Sequence, residues 1–291
     1  MSEAPSTDFQ TLASQSTREH LVCLTFDFDT ISYWIAKGQT NPVDLSRGEF
    51  GVVGAGRILE LLAGLGIQGT WFIPGLTIDT YPEACAAVVD AGHEVGHHGY
   101  DHISPTELDR EAEADQLDRG NECIMRLTGR PARGYRAPGW DLSPNSVALL
   151  VERGFVYDSS LMGRDYTPYQ ARYADRMETG EPVAFGADSP LLELPVSWSL
   201  DDFTHFEFRE GNGLMNWRSV LDNWYEDFRY MKQTRDWGVI TYTFHPFVIG
   251  RGHRMRALED LIRKLSDEGA LFITAGQALE RWSRRLASPV R

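Results

Sequence analysis

Cysteine is scarce in this 291-residue chain: Cys23, Cys85 and Cys123 are odd in number, far apart and match no C-x-x-C spacing. Such a set excludes a disulfide framework or a cysteine-based zinc module and fits reduced thiols buried in an intracellular fold. Positive charge is also short. Lys and Arg number 28 against 42 Asp and Glu, a formal net charge of −14, which repels a phosphate backbone and excludes nucleic acid as a partner. No apolar run approaches the roughly 20 residues of a membrane span, so no membrane partner is expected. The opening MSEAPSTDFQTLASQSTREH has neither the basic start nor the apolar core of a secretory signal. The expectation is a cytoplasmic protein with a polar extension over 1–20. Low-complexity tracts and Pro/Gly/Ser linkers are missing too, so 21–291 is expected to form a single domain, and 42% hydrophobic content suffices for a large core.

What is present is an alternation. The short β-rich runs LVCLTF, GTWFI, HEVG, GYRA, FVYD, LLELPVSW, GVITYTF and ALFIT are mostly followed by helical patterns such as GAGRILELLAGLG and HRMRALEDLIRKLSDEG. About eight strands each trailed by a helix predict a parallel α/β barrel or an open α/β sheet. In SPTELDREAEADQLDRG a capping box at Ser104 and Glu107 is expected to open the helix. Two stretches break the rhythm. Residues 30–50 read as a long loop carrying Tyr33 and Trp34, and 159–190 as an insertion serving as a lid or an oligomer contact.

The ionisable clusters collect at the carboxyl ends of these runs: Asp27 and Asp29 after LVCLTF, His97, His98 and His102 after HEVG, Arg136 in YRAPGW, Asp201 and Asp202 after LLELPVSW, and His245 after GVITYTF. Barrel enzymes build their sites at that end. On a helical turn His98 and His102 share one face, and Asp29 completes a set of two imidazoles and one carboxylate with open positions. Such a set suits zinc first, with iron, cobalt, nickel or manganese as alternatives, and lowers the pKa of a bound water from about 15.7 to roughly 7. Two neighbouring carboxylates repel unless a cation lies beside them. A metal at Asp29 therefore leaves Asp27 ionised as a general base, and a bidentate Arg136 is placed to hold it. His245 is placed to protonate a leaving nitrogen. Either Asp201 or Asp202 could orient His245. Trp140, Trp198, Tyr33, Trp34 and Phe203 could close over a flat ring or stack on a sugar.

In order and spacing, TFDFD, HHGYDH, YRAPGW, ELPVSW and TYTFHP resemble the five signature regions of the polysaccharide deacetylase superfamily, the NodB-homology fold of carbohydrate esterase family four. The resemblance runs from about residue 20 to residue 284. It implies a distorted (β/α) barrel, with Asp27 as base, Asp29, His98 and His102 as metal ligands, Arg136 as the base-orienting arginine and His245 as acid. Where the usual pattern has Asp-Asp and an Asn before the first ligand histidine, this chain has Phe28 and His97. These departures, with the tail FHPFVIGRGHRMRALEDLI, resemble a branch of cyclic imide hydrolases, allantoinase-like proteins and a peptidoglycan deacetylase. The expected activity is metal-dependent hydrolysis of a C–N amide bond in a cyclic imide or ureide-like molecule, with N-deacetylation of peptidoglycan or another N-acetylated glycan as the alternative. Relatives of this branch imply a homotetramer.

Overall fold

The computed structural model describes residues 18–173, 175–208 and 213–287. Of the polar extension expected over 1–20, residues 1–17 lie outside the described residues, and Glu19 and His20 already belong to the first strand.

In chain order the elements are β1 (Glu19–Asp27), α1 (Ser32–Ala36), α2 (Pro42–Leu65), β2 (Thr70–Ile73), α3 (Gly75–Thr80), α4 (Pro82–Asp90), β3 (Glu94–His97), α5 (Arg110–Thr128), β4 (Gly134–Tyr135), α6 (Ser146–Glu152), β5 (Tyr157–Asp158) and β6 (Tyr169–Arg172). They continue with β7 (Asp188–Glu193), α7 (Asp202–Phe206), α8 (Trp217–Thr234), β8 (Trp237–Phe244), α9 (Pro246–Ile249), α10 (Gly252–Asp267), β9 (Leu271–Phe272) and α11 (Ala275–Ala287). The strands form one sheet in the order β6-β7-β5-β4-β3-β2-β1-β8, with β9 also paired to β1. All neighbours run parallel except β6 and β7. β1 and β8 are buried on both faces along nearly their whole length, around the apolar runs LVCL and GVI, as expected where helices cover a parallel sheet.

The sheet curls until its ends approach. Asp201, beyond β7, bridges Thr243 of β8, and Val239 N donates to Tyr166 O at 3.0 Å. This is the distorted (β/α) barrel that the family resemblance implied, where the strand–helix alternation alone left a barrel and an open sheet both possible, and it is closed on one side by irregular backbone in place of a ladder.

Two expectations about loops need correction. Most of 30–50 is helical. Asn41 caps α2 by accepting from Val43 N and Asp44 N, both at 3.1 Å, and Pro42 occupies the first turn. The apolar pattern reveals only the second half of this helix, from Gly54 on; Gly48, Gly51 and Gly54 hide its first half, because glycine disfavours helix interiors. Close packing requires two of them: a Cβ on Gly54 would overlap the Pro246 carbonyl at the start of α9, and one on Gly48 would overlap Ile31 and Thr30 backbone. α2 thereby lies directly against the segments that carry Asp29 and His245. The second correction concerns the lid expected at 159–190: the segment holds the edge strand β6, antiparallel to β7, and none of its described residues lines the cavity described below, while its use as an oligomer contact stays an expectation. Its first two residues, Ser159 and Ser160, instead brace the site. The cap at Ser104 also differs from expectation: Ser104 accepts from Thr106 N in a separate 3-10 turn, and α5 is capped by Asp109, which accepts from Ala112 N at 2.9 Å.

Candidate active site

The carboxyl ends of β1, β3, β4 and β8 converge on a cavity of about 690 Å³ lined by Asp27, Asp29, His98, His102, Trp140, Trp198, Asp201 and His245, among others. Asp27 is the last residue of β1, and Asp29 follows in a turn clamped at its backbone carbonyl. That carbonyl accepts from Thr77 Oγ1 at 2.7 Å, Ser32 Oγ at 2.5 Å and Ser32 N at 3.0 Å. Thr30 next to it sits at φ +50°, and His102 and Trp140 are at +65° and +58°. Non-glycine residues with positive φ persist only where their surroundings over-determine them; His102 and Trp140 line the cavity, and Thr30 is buried directly behind Asp29.

Arg136 is fully buried and spent on positioning. Its Nη1 donates to Asp27 Oδ1 at 2.7 Å and to Thr25 Oγ1 at 2.8 Å, its Nε to Ser159 O at 2.9 Å, and its Nη2 to Ser159 Oγ at 3.0 Å. Its carbonyl, in turn, sits 2.7 Å from His98 Nδ1. That contact places the proton on Nδ1 and leaves the Nε2 lone pair facing Asp29, 3.4 Å from Oδ1. His102 Nε2 approaches the other oxygen, Oδ2, at 3.4 Å. The expected helical turn linking the two histidines is not there. Gly99, at φ +71°, and the positive-φ His102 form an irregular loop instead, and the rings meet edge to face with centroids 5.0 Å apart.

Could a metal fit here? One ligand atom from each of Asp29, His98 and His102 lies within 4.8 Å of the others, all three residues are buried, and Asp29 Oδ1 is a buried oxygen with no hydrogen-bond partner. Burial would raise the Asp29 pKa, yet positive charge on His102 and His98, when no cation is bound and they hold protons instead, keeps it well below the usual carboxylate range. An ionised carboxylate with two imidazoles is a donor set that suits a divalent cation.

His245 caps α9 on the opposite wall, its Nε2 3.9 Å from Asp27 Oδ2 and from Asp29 Oδ2. The choice between the two acids behind it is now made. Asp202 Oδ1 lies 2.8 Å from His245 Nδ1, and both Asp202 oxygens accept from the His245 backbone N–H, whereas Asp201 stands 3.5 Å off and caps α7 through Phe203 N. Against a burial effect that would lower it, the Asp202 hydrogen bond and the Asp201 and Asp202 charges push the His245 pKa up to about 10. Burial, aided by the Asp202 charge, lifts Asp201 to about 7. A histidine held charged at neutral pH has a proton to give.

The aromatic residues divide. Trp140 and Trp198 stack with centroids 4.3 Å apart, and Trp198 is 46% exposed at the rim. Tyr33 lines the cavity, packed edge to face on His102. Trp34, expected at the substrate, is instead buried behind Tyr33 against Phe247, with Arg47 over its ring. Sequence reasoning missed Ser159, Thr25 and Thr77, whose hydroxyls carry no signal until the barrel brings them to Arg136 and Asp29. His97 turns away from the cavity. Its Nε2 meets Leu117 O at 3.0 Å and its Nδ1 accepts from Gly99 N at 3.0 Å, and burial pushes its pKa down to about 3.

Residues 14–157 match the family model described as polysaccharide deacetylase. The peptidoglycan deacetylase of Helicobacter pylori is 33% identical over 92% of this chain and 98% of its own length. The chain belongs to the polysaccharide deacetylase family. As a member it is a hydrolase acting on C–N amide bonds. A peptidoglycan deacetylase-like protein of Gibberella zeae is 30% identical over 91% of this chain and 86% of its own. Among solved structures, a putative polysaccharide deacetylase from Mycobacterium smegmatis superposes with a TM-score of 0.81 at 30% identity, covering 94% of this chain and 93% of that one. Puue allantoinase shares the deacetylase fold, with a TM-score of 0.74 at 22% identity and 92% and 91% coverage. No helix among the described residues is long and apolar enough to cross a membrane.

Proposed function

We propose that this deacetylase-family hydrolase is a metal-dependent N-deacetylase of an N-acetylated glycan of the peptidoglycan type. The observation that carries the chemistry is the convergence, on one cavity, of a carboxylate held by Arg136, a donor set of two histidines and one carboxylate, and an imidazole held charged by Asp202. The glycan is supported by the peptidoglycan deacetylase relative, aligned over nearly its full length. This order reverses the sequence expectation, which placed the small cyclic amide first.

A divalent cation held by Asp29, His98 and His102 would supply Lewis-acid polarisation of the amide carbonyl and stabilise negative charge on its oxygen. Asp27, fixed by Arg136, takes the proton from the attacking water. His245 then gives its Nε2 proton to the departing amine, while Asp202 keeps the imidazolium oriented and balanced in charge. The Trp140–Trp198 stack and Tyr33 bound the space for a sugar face. Zinc is the first metal to test, with iron, cobalt, nickel and manganese beside it.

A second reading, the opening of a cyclic imide or ureide-like ring, rests on the depth of the site: Asp27, Asp29 and His98 are each 1% exposed. A small flat ring reaches them as readily as an acetamido group does. The proposal includes cytoplasmic residence, directing the enzyme to soluble glycan fragments, and assembly as a homotetramer; recovery from the cell wall, or a monomer mass in solution, would remove either part.

The test incubates metal-loaded protein with N-acetylglucosamine oligomers and with succinimide- and hydantoin-type rings, using Asp29→Ala as the blank. Acetate release from the oligomers supports the proposal. Ring opening without acetate release replaces it with the second reading.

A further inference from the structure

Behind Arg136, on the side away from the cavity, lie two buried carboxyls that the mechanism does not use. Asp158 ends β5 and Glu193 ends β7, the two are register partners on adjacent parallel strands, and neither side chain is exposed at all. Each has one satisfied oxygen. Asp158 Oδ1 accepts from Ser160 Oγ at 2.7 Å, and Glu193 Oε1 accepts from Ser160 N at 2.9 Å and Leu161 N at 2.8 Å. The remaining oxygens, Asp158 Oδ2 and Glu193 Oε2, have no donor from any other residue. Two ionised carboxylates cannot sit together in a dry interior without a cation between them. Arg136, the cation whose charge bears on Asp158, is already committed to Asp27, Thr25 and Ser159.

We propose that Asp158 and Glu193 share one proton, and that this acid–carboxylate pair positions Arg136, and through it Asp27, by fixing Ser159 and Ser160. The chain of contacts is short. The pair anchors Ser160 through its hydroxyl and its backbone N–H, and Ser160 Oγ accepts from Ala137 N at 2.9 Å, beside Arg136. Ser159, held between Asp158 and the anchored Ser160, offers its carbonyl and hydroxyl to Nε and Nη2 of Arg136. Burial and then the Asp158 charge lift the Glu193 pKa well above the carboxylate range, so Glu193 carries the proton. The titratable neighbours on β4 and β6, Tyr135 and Tyr169, are themselves held neutral by burial and by these acids. The positioning half rests on the hydrolase reading of Asp27; the shared proton does not.

The experiment has two arms on the metal-loaded protein. In infrared difference spectra at neutral pH, wild type minus Glu193→Gln shows the carbonyl stretch of a protonated carboxylic acid; its absence overturns the shared proton, whatever the substrate proves to be. In turnover of whichever amide the wild type hydrolyses, Glu193→Gln stays close to wild type, because the amide keeps an acceptor for Ser160 N and Leu161 N and offers an N–H to Asp158. Glu193→Ala loses about 10- to 100-fold in kcat, the scale of a base displaced by up to about 1 Å, with KM and metal content unchanged. Gln as damaging as Ala, or Ala with wild-type kcat, overturns the positioning role.

Discussion

Replacing Arg136 with methionine keeps much of the side chain's length and removes its charge, in a place where charge is needed. The guanidinium is wholly buried, makes four hydrogen bonds at 2.7–3.0 Å, and packs over the Phe72 ring at 4.3 Å. Its loss strands the Asp27 carboxylate, which is 1% exposed. Breaking a buried ion pair by removing one partner costs about 3–5 kcal/mol, against a total stability of roughly 5–15 kcal/mol. At roughly 2–4 °C per kcal/mol for a chain of about this size, Tm falls by about 6–20 °C. Turnover falls by at least about 10²-fold, because an unheld base no longer points at the attacking water. Differential scanning calorimetry and steady-state kinetics read both. Arg136→Lys is the control, since it restores charge to Asp27 but not the fork to Ser159 and Thr25, and should recover part of the Tm and little of the kcat. A methionine variant within about 2 °C of wild type would show that Asp27 does not depend on this pair, and the account of the base would fail.

Four further outcomes follow from the same geometry. Asp29→Ala and His98→Ala should lose bound metal and activity together, whereas Asp27→Asn should keep the metal and lose turnover; metal analysis of the purified variants checks the ligand assignment, and stoichiometric metal in either of the first two would refute it. Asp202→Asn removes the main support of the His245 imidazolium, whose folded pKa is raised from about 6.5 to about 10. A raised pKa contributes stability that is fully present below pH 6.5 and is lost as pH rises through 10. The stability gap between wild type and this variant should therefore be widest near neutral pH, shrink toward pH 10 as His245 loses its proton, and narrow again in acid as Asp202, its own pKa raised by burial, takes one up, in parallel urea titrations. Trp198→Ala, at the rim on the Trp140 face, should raise KM for a glycan several-fold with little change in kcat, a split that an equal fall in both would contradict. Gly54→Ala drives a methyl into the Pro246 carbonyl and should cost about 1–3 kcal/mol by overpacking, read as a drop in Tm.

The sequence carried much of the site in plain view. LVCLTF and GVITYTF are apolar enough to be central strands, and a barrel built from such strands brings their carboxyl ends to one face, so Asp27, Asp29, His98, His102, Arg136 and His245 group together from the sequence alone. Charge logic then placed a cation by Asp29 and an arginine by Asp27. Reading failed where backbone geometry overrode local preference. Glycines that disfavour a helix marked α2's close packing on the Asp29 turn and on α9, and the i, i+4 spacing of His98 and His102 suggested a helix where an irregular loop does the same work.

Composition, strand periodicity and the order of the signature residues determined the fold class and the ionisable groups at its mouth, because those depend on local pattern and on the topology of parallel strands. Which acid holds His245, where Trp34 goes, that 159–190 lays a strand on the sheet edge, and that Asp158 meets Glu193 were decided only by tertiary structure. Asp201 and Asp202 differ by one residue in sequence, but the turn into α7 aims one at the histidine and the other at a helix cap. No local pattern encodes the meeting of β5 with β7, since Asp158 and Glu193 lie 35 positions apart in the chain and only the pairing of their strands in the sheet brings them together.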